Sequence, residues 1–171
     1  MKSCTKLLNG IDGLNRVIGT SVSVLIIVLT ILIVVEVTLR YVFSSPTVWG
    51  TELTSLIFAT YILLGGGYTL LKNDHVRMDM IYQRFSEKGR AMLDLLTCPL
   101  ALLYCVILVV EGGDMVAEAI ASKRTLSSDW APLMWPWLLA LPVGSLLLGL
   151  QVISNTMRSL IVAFGQKGGQ S

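Results

Sequence analysis

Four apolar runs, each about as long as a helix needs to cross a bilayer, occupy more than half of this 171-residue chain. A hydrocarbon core about 30 Å thick takes roughly 20 apolar residues in helical conformation. The runs lie at about residues 17–39, 52–71, 91–110 and 132–157, each bounded by charged or turn-forming residues. With 54% hydrophobic and 14% charged residues and a mean hydropathy of +0.72, the chain falls far from an average soluble domain. No stretch between the runs is long enough to enclose a core of its own. The expectation is a single all-α integral membrane domain over residues 1–171, with four transmembrane helices.

The first run is too long for a cleaved leader and ends in "EVTLRYVF" rather than small residues, so it is expected to stay as a signal anchor. Cys4 follows only "MKS", which gives lipid attachment there little support. Basic residues set the orientation. Ten of them (Lys2, Lys6, Arg16, Lys72, Arg77, Arg84, Lys88, Arg90, Arg158 and Lys167) fall on one side of the four spans, against Arg40, Lys123 and Arg124 on the other. The positive-inside rule then places both termini in the cytoplasm of a multi-pass inner-membrane protein. Under that topology Trp49, Trp130, Trp135 and Trp137 all fall at outer span ends, where amphipathic rings favour the headgroup layer.

Local patterns refine this frame. The tail around "NGIDGLNR" is expected to lie on the inner surface before the first span begins. That span closes with Glu36 and Arg40 at i, i+4, a favourable order for a structural ion pair and a competitor to any relay role for Glu36. The short loop "SSPTVWGTE" makes spans one and two antiparallel neighbours. Trp49 and Glu52 open the second span as interfacial ring and first-turn acid. Gly65, Gly66 and Gly67 offer a thin face for close helix packing, within the chain or against a partner. Beyond them, "LLKNDHVRMDM" starts a loop whose apolar residues recur at helical spacing, predicting a short amphipathic interfacial helix at about 76–89. There His75, Arg77 and Asp79 serve as interface anchors or subunit contacts.

Pro99 removes a backbone bond inside span three, which is expected to bend, and residues 111–129 read as a helical extension outward. Ser127, Ser128 and Asp129 are helix-start residues for span four, and Pro142 predicts a kink in its middle, with Gly144 and Gly149 as thin faces nearby. Gln151 and Asn155 form an i, i+4 amide pair that needs partners wherever it faces protein.

Several chemistries are excluded by residue type. There is no Cys-x-x-Cys, and Cys98 and Cys105 lie too far apart on one helix to bridge. A single histidine rules out a haem with two axial histidines from one chain. No phosphate-binding Gly-x-x-x-x-Gly-Lys-Ser/Thr loop occurs, and no carboxylate pair suggests acid/base work. The expectation is no enzyme, no cofactor, no metal site and no nucleic-acid partner. Two classes stay open. One is a small autonomous four-span carrier working as a homodimer. The other is a non-catalytic subunit packed against a larger permease.

Four segments carry a family resemblance: "LRYVF" closing span one, "WGTEL" opening span two, "GGGYTLLKNDHVRMDM" around its inner end, and "DWAPLMWPWLLALPVGSLLLGLQ" through span four. In order and position they resemble the small membrane subunit, DctQ-type, of tripartite ATP-independent periplasmic (TRAP) transporters, over nearly the whole chain. Many relatives carry two adjacent acids after the tryptophan, whereas here Thr51 precedes Glu52 alone. The resemblance implies a fixed scaffold for a large permease subunit that moves an organic acid anion inward with sodium, supplied by a periplasmic binding protein. It also implies that the outer residues 111–129 form part of the binding protein's docking surface. Trp49, Glu52, Gly65, Gly66, Gly67, His75, Arg77, Asp79, Pro142, Gly144 and Gln151 are then candidate subunit contacts or interface anchors. Membrane lipids are the remaining expected partner.

Overall fold

The computed structural model describes residues 2–72 and 87–165. Within them lie six helices: α1 (Lys2–Ser23), α2 (Leu25–Tyr41), α3 (Gly50–Leu71), α4 (Glu87–Ala121), the single turn α5 (Trp135–Leu138) and α6 (Ala140–Gly165). Four segments are long and apolar enough to cross a membrane: Lys6–Tyr41, Gly50–Leu71, Leu95–Ala121 and Trp135–Arg158. The protein is an all-α membrane protein. Among the described residues the one departure from helix and turn is an isolated bridge between Thr125 and Leu133.

The tail before the first span is helical: residues 2–23 form α1, which continues into α2 across a single turn residue, Val24. Val24 keeps helical dihedrals (φ −64°, ψ −27°), so the backbone stays right-handed through the junction. The Ser23 hydroxyl donates to Thr20 O at 2.7 Å, the kind of back-bond that loosens a helix ladder. One seam runs the whole length. Leu8, Asn15, Val22, Leu29 and Glu36, spaced by seven, are all buried. A seven-residue repeat keeps one narrow stripe of a helix facing its neighbours. Most other side chains of α2 are exposed, among them Ile27, Ile31, Val34, Val35 and Val37.

The helices form a row rather than a closed core. α2 and α1 pack on α3, α3 packs on α6, and α6 packs on α4; α1 also reaches α6. Chain order and spatial order therefore differ: the fourth span lies between the second and third. It is the most enclosed of the four.

Glycines permit the closest contacts in the row. A Cβ on Gly144 would come within 2.3 Å of Leu63 O, so the α6 backbone lies directly on that of α3. On Gly19 it would meet Tyr68 Cβ at 2.2 Å, seating α1 on α3. Gly149 faces Cys105 and Gly112 faces Leu141 and Pro142, joining α6 to α4. Without a hydrophobic drive between helices in lipid, such close approach is what dispersion needs.

The third and fourth spans correct several boundaries. α4 runs unbroken through Pro99 from Glu87, so residues 87–89 of the expected interfacial helix belong to it, and the rest of that helix falls outside the described residues. Ser127, Ser128 and Asp129 do not start the fourth span. They sit in a folded loop closed by Leu126 N–H to Pro132 O (3.1 Å) and Met134 N–H to Arg124 O (3.0 Å), with Lys123 and Ala131 at positive φ. The helix begins at Trp135, with Pro136 in its first turn, where a missing N–H costs nothing. Pro142, expected to kink the fourth span, stands in the first turn of α6, three residues after the turn residue Leu139 that separates α5 from α6 within the segment Trp135–Arg158.

Candidate functional site

The side-chain hydrogen bonds and ion pairs that join one helix to another gather at the two ends of the row, whereas Thr30 and Thr60 in mid-span bond back to their own helices. At the end where α2 finishes and α3 starts, Arg40 Nη2 donates to Glu36 Oε1 at 2.7 Å and to Thr51 Oγ1 at 3.1 Å. The Thr47 hydroxyl donates to Glu36 Oε2, and Gly50 N–H donates to Thr47 Oγ1 at 3.1 Å. Both Glu36 oxygens are thus engaged, and the acid closes the α2–α3 corner. A side chain at Gly50 would collide with Glu36 Oε2, which makes that glycine part of the corner. Nearby, the Ser128 hydroxyl donates to Glu52 Oε2 at 2.7 Å and pins the loop after α4 onto the start of α3.

At the opposite end, near both termini, a larger network joins α1, α3 and α6. Asn15 Nδ2 donates to Gln151 Oε1 at 2.8 Å and faces Leu147 O at 3.4 Å. Gln151 Nε2 donates to Asp12 Oδ1 (3.0 Å) and to Asn155 Oδ1 (3.1 Å), and the Ser154 hydroxyl donates to the same Asp12 oxygen at 3.1 Å. Asn155 Nδ2 reaches Leu70 O at 3.2 Å on α3. Arg158 completes the clasp, with an ion pair to Asp12 and a hydrogen bond to Asn9 Oδ1 at 3.1 Å. Gln151 and Ser154 are fully buried and Asn15 nearly so. Buried amides left unpaired cost about 1–3 kcal/mol each, which explains why α1 can bury a polar seam here only by meeting α6 in one register.

Of the residues singled out from sequence, Gln151 is the hub of this clasp. Gly67 faces it, since a Cβ there would overlap Asn15 Oδ1. Gly66 has only Leu148 Cδ1 nearby, at 3.9 Å, and Gly65 faces open space. The thin face of three glycines is therefore divided between an internal contact and an uncovered one. Gly144 lies on α3, and Pro142 packs against Gly112. Trp49 is the residue before α3 and is 41% exposed. Glu52 holds Ser128. His75, Arg77 and Asp79 lie outside the described residues.

Sequence reading missed Asn9, Asp12, Asn15, Ser154 and Arg158. The signal was present: the seven-residue spacing of Val22, Leu29 and Glu36 extends back through Asn15 to Leu8. Polar residues at two of those positions hid it from a search for apolar runs.

Among the described residues no group of three or more His, Cys, Asp or Glu side chains converges to hold a metal ion. The carboxylates of Asp12, Glu36 and Glu52 are held by an arginine, an arginine with a threonine, and a serine respectively.

Residues 29–161 match the family described as tripartite ATP-independent periplasmic transporters, DctQ component. The chain belongs to this family. It is 25% identical over 168 residues to the sialic acid TRAP transporter small permease protein SiaQ of Vibrio cholerae, an alignment covering 94% of this chain and 90% of that one. It is 30% identical over 118 residues to the C4-dicarboxylate TRAP transporter small permease protein DctQ of Rhodobacter capsulatus, covering 69% of this chain and 48% of the relative. A shorter stretch of 82 residues is 28% identical to the sialic acid TRAP transporter permease protein SiaT of Haemophilus influenzae, covering 48% of this chain and 13% of that one. These relatives are permease subunits, not enzymes. In this DctQ-type chain the Glu36 corner and the α6 half of the clasp fall inside the matched region, whereas Asn9, Asp12 and Asn15 precede it.

Proposed function

We propose that this DctQ-type chain is the fixed small subunit of a binding-protein-dependent, sodium-coupled importer of an organic acid anion, packed along a large permease subunit in the inner membrane with both termini cytoplasmic. One observation carries the reading. The charged and amide side chains that join one helix to another lie at the two ends of the row, while the apolar side chains of α2 and α4 face outward along most of their length. A carrier needs polar groups near mid-membrane that a substrate or ion can reach. A scaffold needs rigid helices and wide apolar faces for lipid and a partner. The excess of basic residues in the terminal segments and in the loop between spans two and three supports the orientation. The substrate class comes from the family and from relatives whose names specify sialic acid and C4-dicarboxylates.

The test is affinity purification of the tagged chain in mild detergent from its native host, with co-purifying proteins identified by mass spectrometry. A stoichiometric multi-span permease is the expected result. A chain recovered alone or as a self-dimer that moves solute in liposomes would overturn the scaffold. Glu36 distinguishes the readings further: with Glu36→Gln, an assembled complex keeps transporting under the scaffold reading and stops under the autonomous-carrier reading.

A further inference from the structure

The α2–α3 corner carries an open cleft of about 270 Å³ that no role discussed above occupies. Its walls change character along the helix axes. Ile33 and Val37 line its apolar part, Arg40, Tyr41 and Thr51 line the part toward the end of the span, and Glu36, already paired with Arg40, lines the rest with Thr54 and Ser55. Arg40 lies one residue before the end of the apolar segment Lys6–Tyr41, and its side chain is 44% exposed even though it is paired with Glu36. Both of its side-chain hydrogen bonds come from the single nitrogen Nη2, leaving Nη1 and Nε without partners among the described residues. The Thr51 hydroxyl accepts from Arg40, so its own proton is free for an acceptor in the cleft.

We infer that this cleft binds one phospholipid, its phosphate held by Arg40 and Thr51 and one acyl chain lying along Ile33 and Val37. A planar guanidinium with open donors recognises phosphate oxygens well, and phosphates are the abundant anions at this depth of a bilayer. The apolar floor is what separates a lipid from a free phosphate ion: the ion gains nothing from Ile33 and Val37. The bound lipid fills the corner between the first two spans.

Native mass spectrometry of the purified full-length chain with dioleoyl phosphatidylglycerol tests the site. One lipid is expected to bind saturably. Arg40→Lys keeps the charge opposite Glu36 but loses the fork, and Thr51→Val keeps the shape but loses the hydroxyl; each is expected to weaken binding about tenfold. Ser55→Trp, at an exposed cleft position, is expected to abolish it. Dioleoylglycerol, with the same chains and no phosphate, is expected to bind at least about tenfold more weakly. Millimolar inorganic phosphate is expected to leave the lipid in place. Equal retention by all three variants, equal binding of dioleoylglycerol, or displacement by inorganic phosphate would each overturn the proposal. So would a photo-crosslinker at position 55 that, in the intact complex, labels a protein partner instead of lipid.

Discussion

Replacing Gly144 by alanine adds one methyl group where the backbones of α3 and α6 touch. The new Cβ would lie 2.3 Å from Leu63 O and 2.6 Å from Leu63 C. Ordinary contact for such atoms begins near 3.4 Å, so the two helices must part by about 1 Å. Because the obstacle is backbone rather than a flexible side chain, the strain falls near the upper end of overpacking costs, about 3 kcal/mol. Alanine recovers about 1 kcal/mol of that through its helix propensity over glycine. The net loss is about 2 kcal/mol, which for a chain of this size lowers the melting temperature by roughly 4–8 °C. Thermal unfolding in detergent, followed by tryptophan fluorescence, reads it directly. Gly65→Ala supplies the control, since nothing lies within 4 Å of its added Cβ. Its expected result is an unchanged or slightly higher midpoint. If Gly144→Ala melted with the wild type or with the Gly65 control, the close α3–α6 contact would be wrong.

Two further substitutions probe the ends of the row. Gln151→Leu removes the hub of the clasp and leaves the Asn15 amide and an Asp12 oxygen short of partners; a loss of about 2–4 kcal/mol is expected, measured by the same melt. Hydrogen exchange on this variant should rise first in α1, and uniform exchange across all helices would contradict the clasp. Glu52→Gln and Ser128→Ala each weaken the tie between α3 and the loop at residues 122–134, and both should accelerate proteolysis within that loop by several-fold while leaving the global midpoint within about 1 kcal/mol. Their double variant should be no worse than Ser128→Ala alone, because the bond to Glu52 is already lost there, together with the one that Ser128 Oγ accepts from Ala131 N–H.

Hydropathy alone determined that the chain is a four-span helical membrane protein, because a bilayer demands a run of apolar residues and the runs are there to be counted. The Glu36–Arg40 pair was legible for a similar reason: i, i+4 neighbours meet wherever a helix forms, whatever surrounds it. Local chemistry misled where the alternative was tertiary. Ser128 has the makings of a helix start, yet its hydroxyl serves Glu52, which lies 76 residues earlier. Pro142 marked an interruption of the fourth span, but the hydropathy profile could not show that the turn falls at Leu139. The clasp was least visible, since Asp12, Asn15, Gln151 and Arg158 join only once α1 crosses α3 and α6, and contacts between residues some 140 positions apart leave no mark in any local window. The spatial order of the spans was decided in the same way. Small residues on α6 face α3 on one side and α4 on the other, and only three-dimensional packing shows which glycine meets which helix.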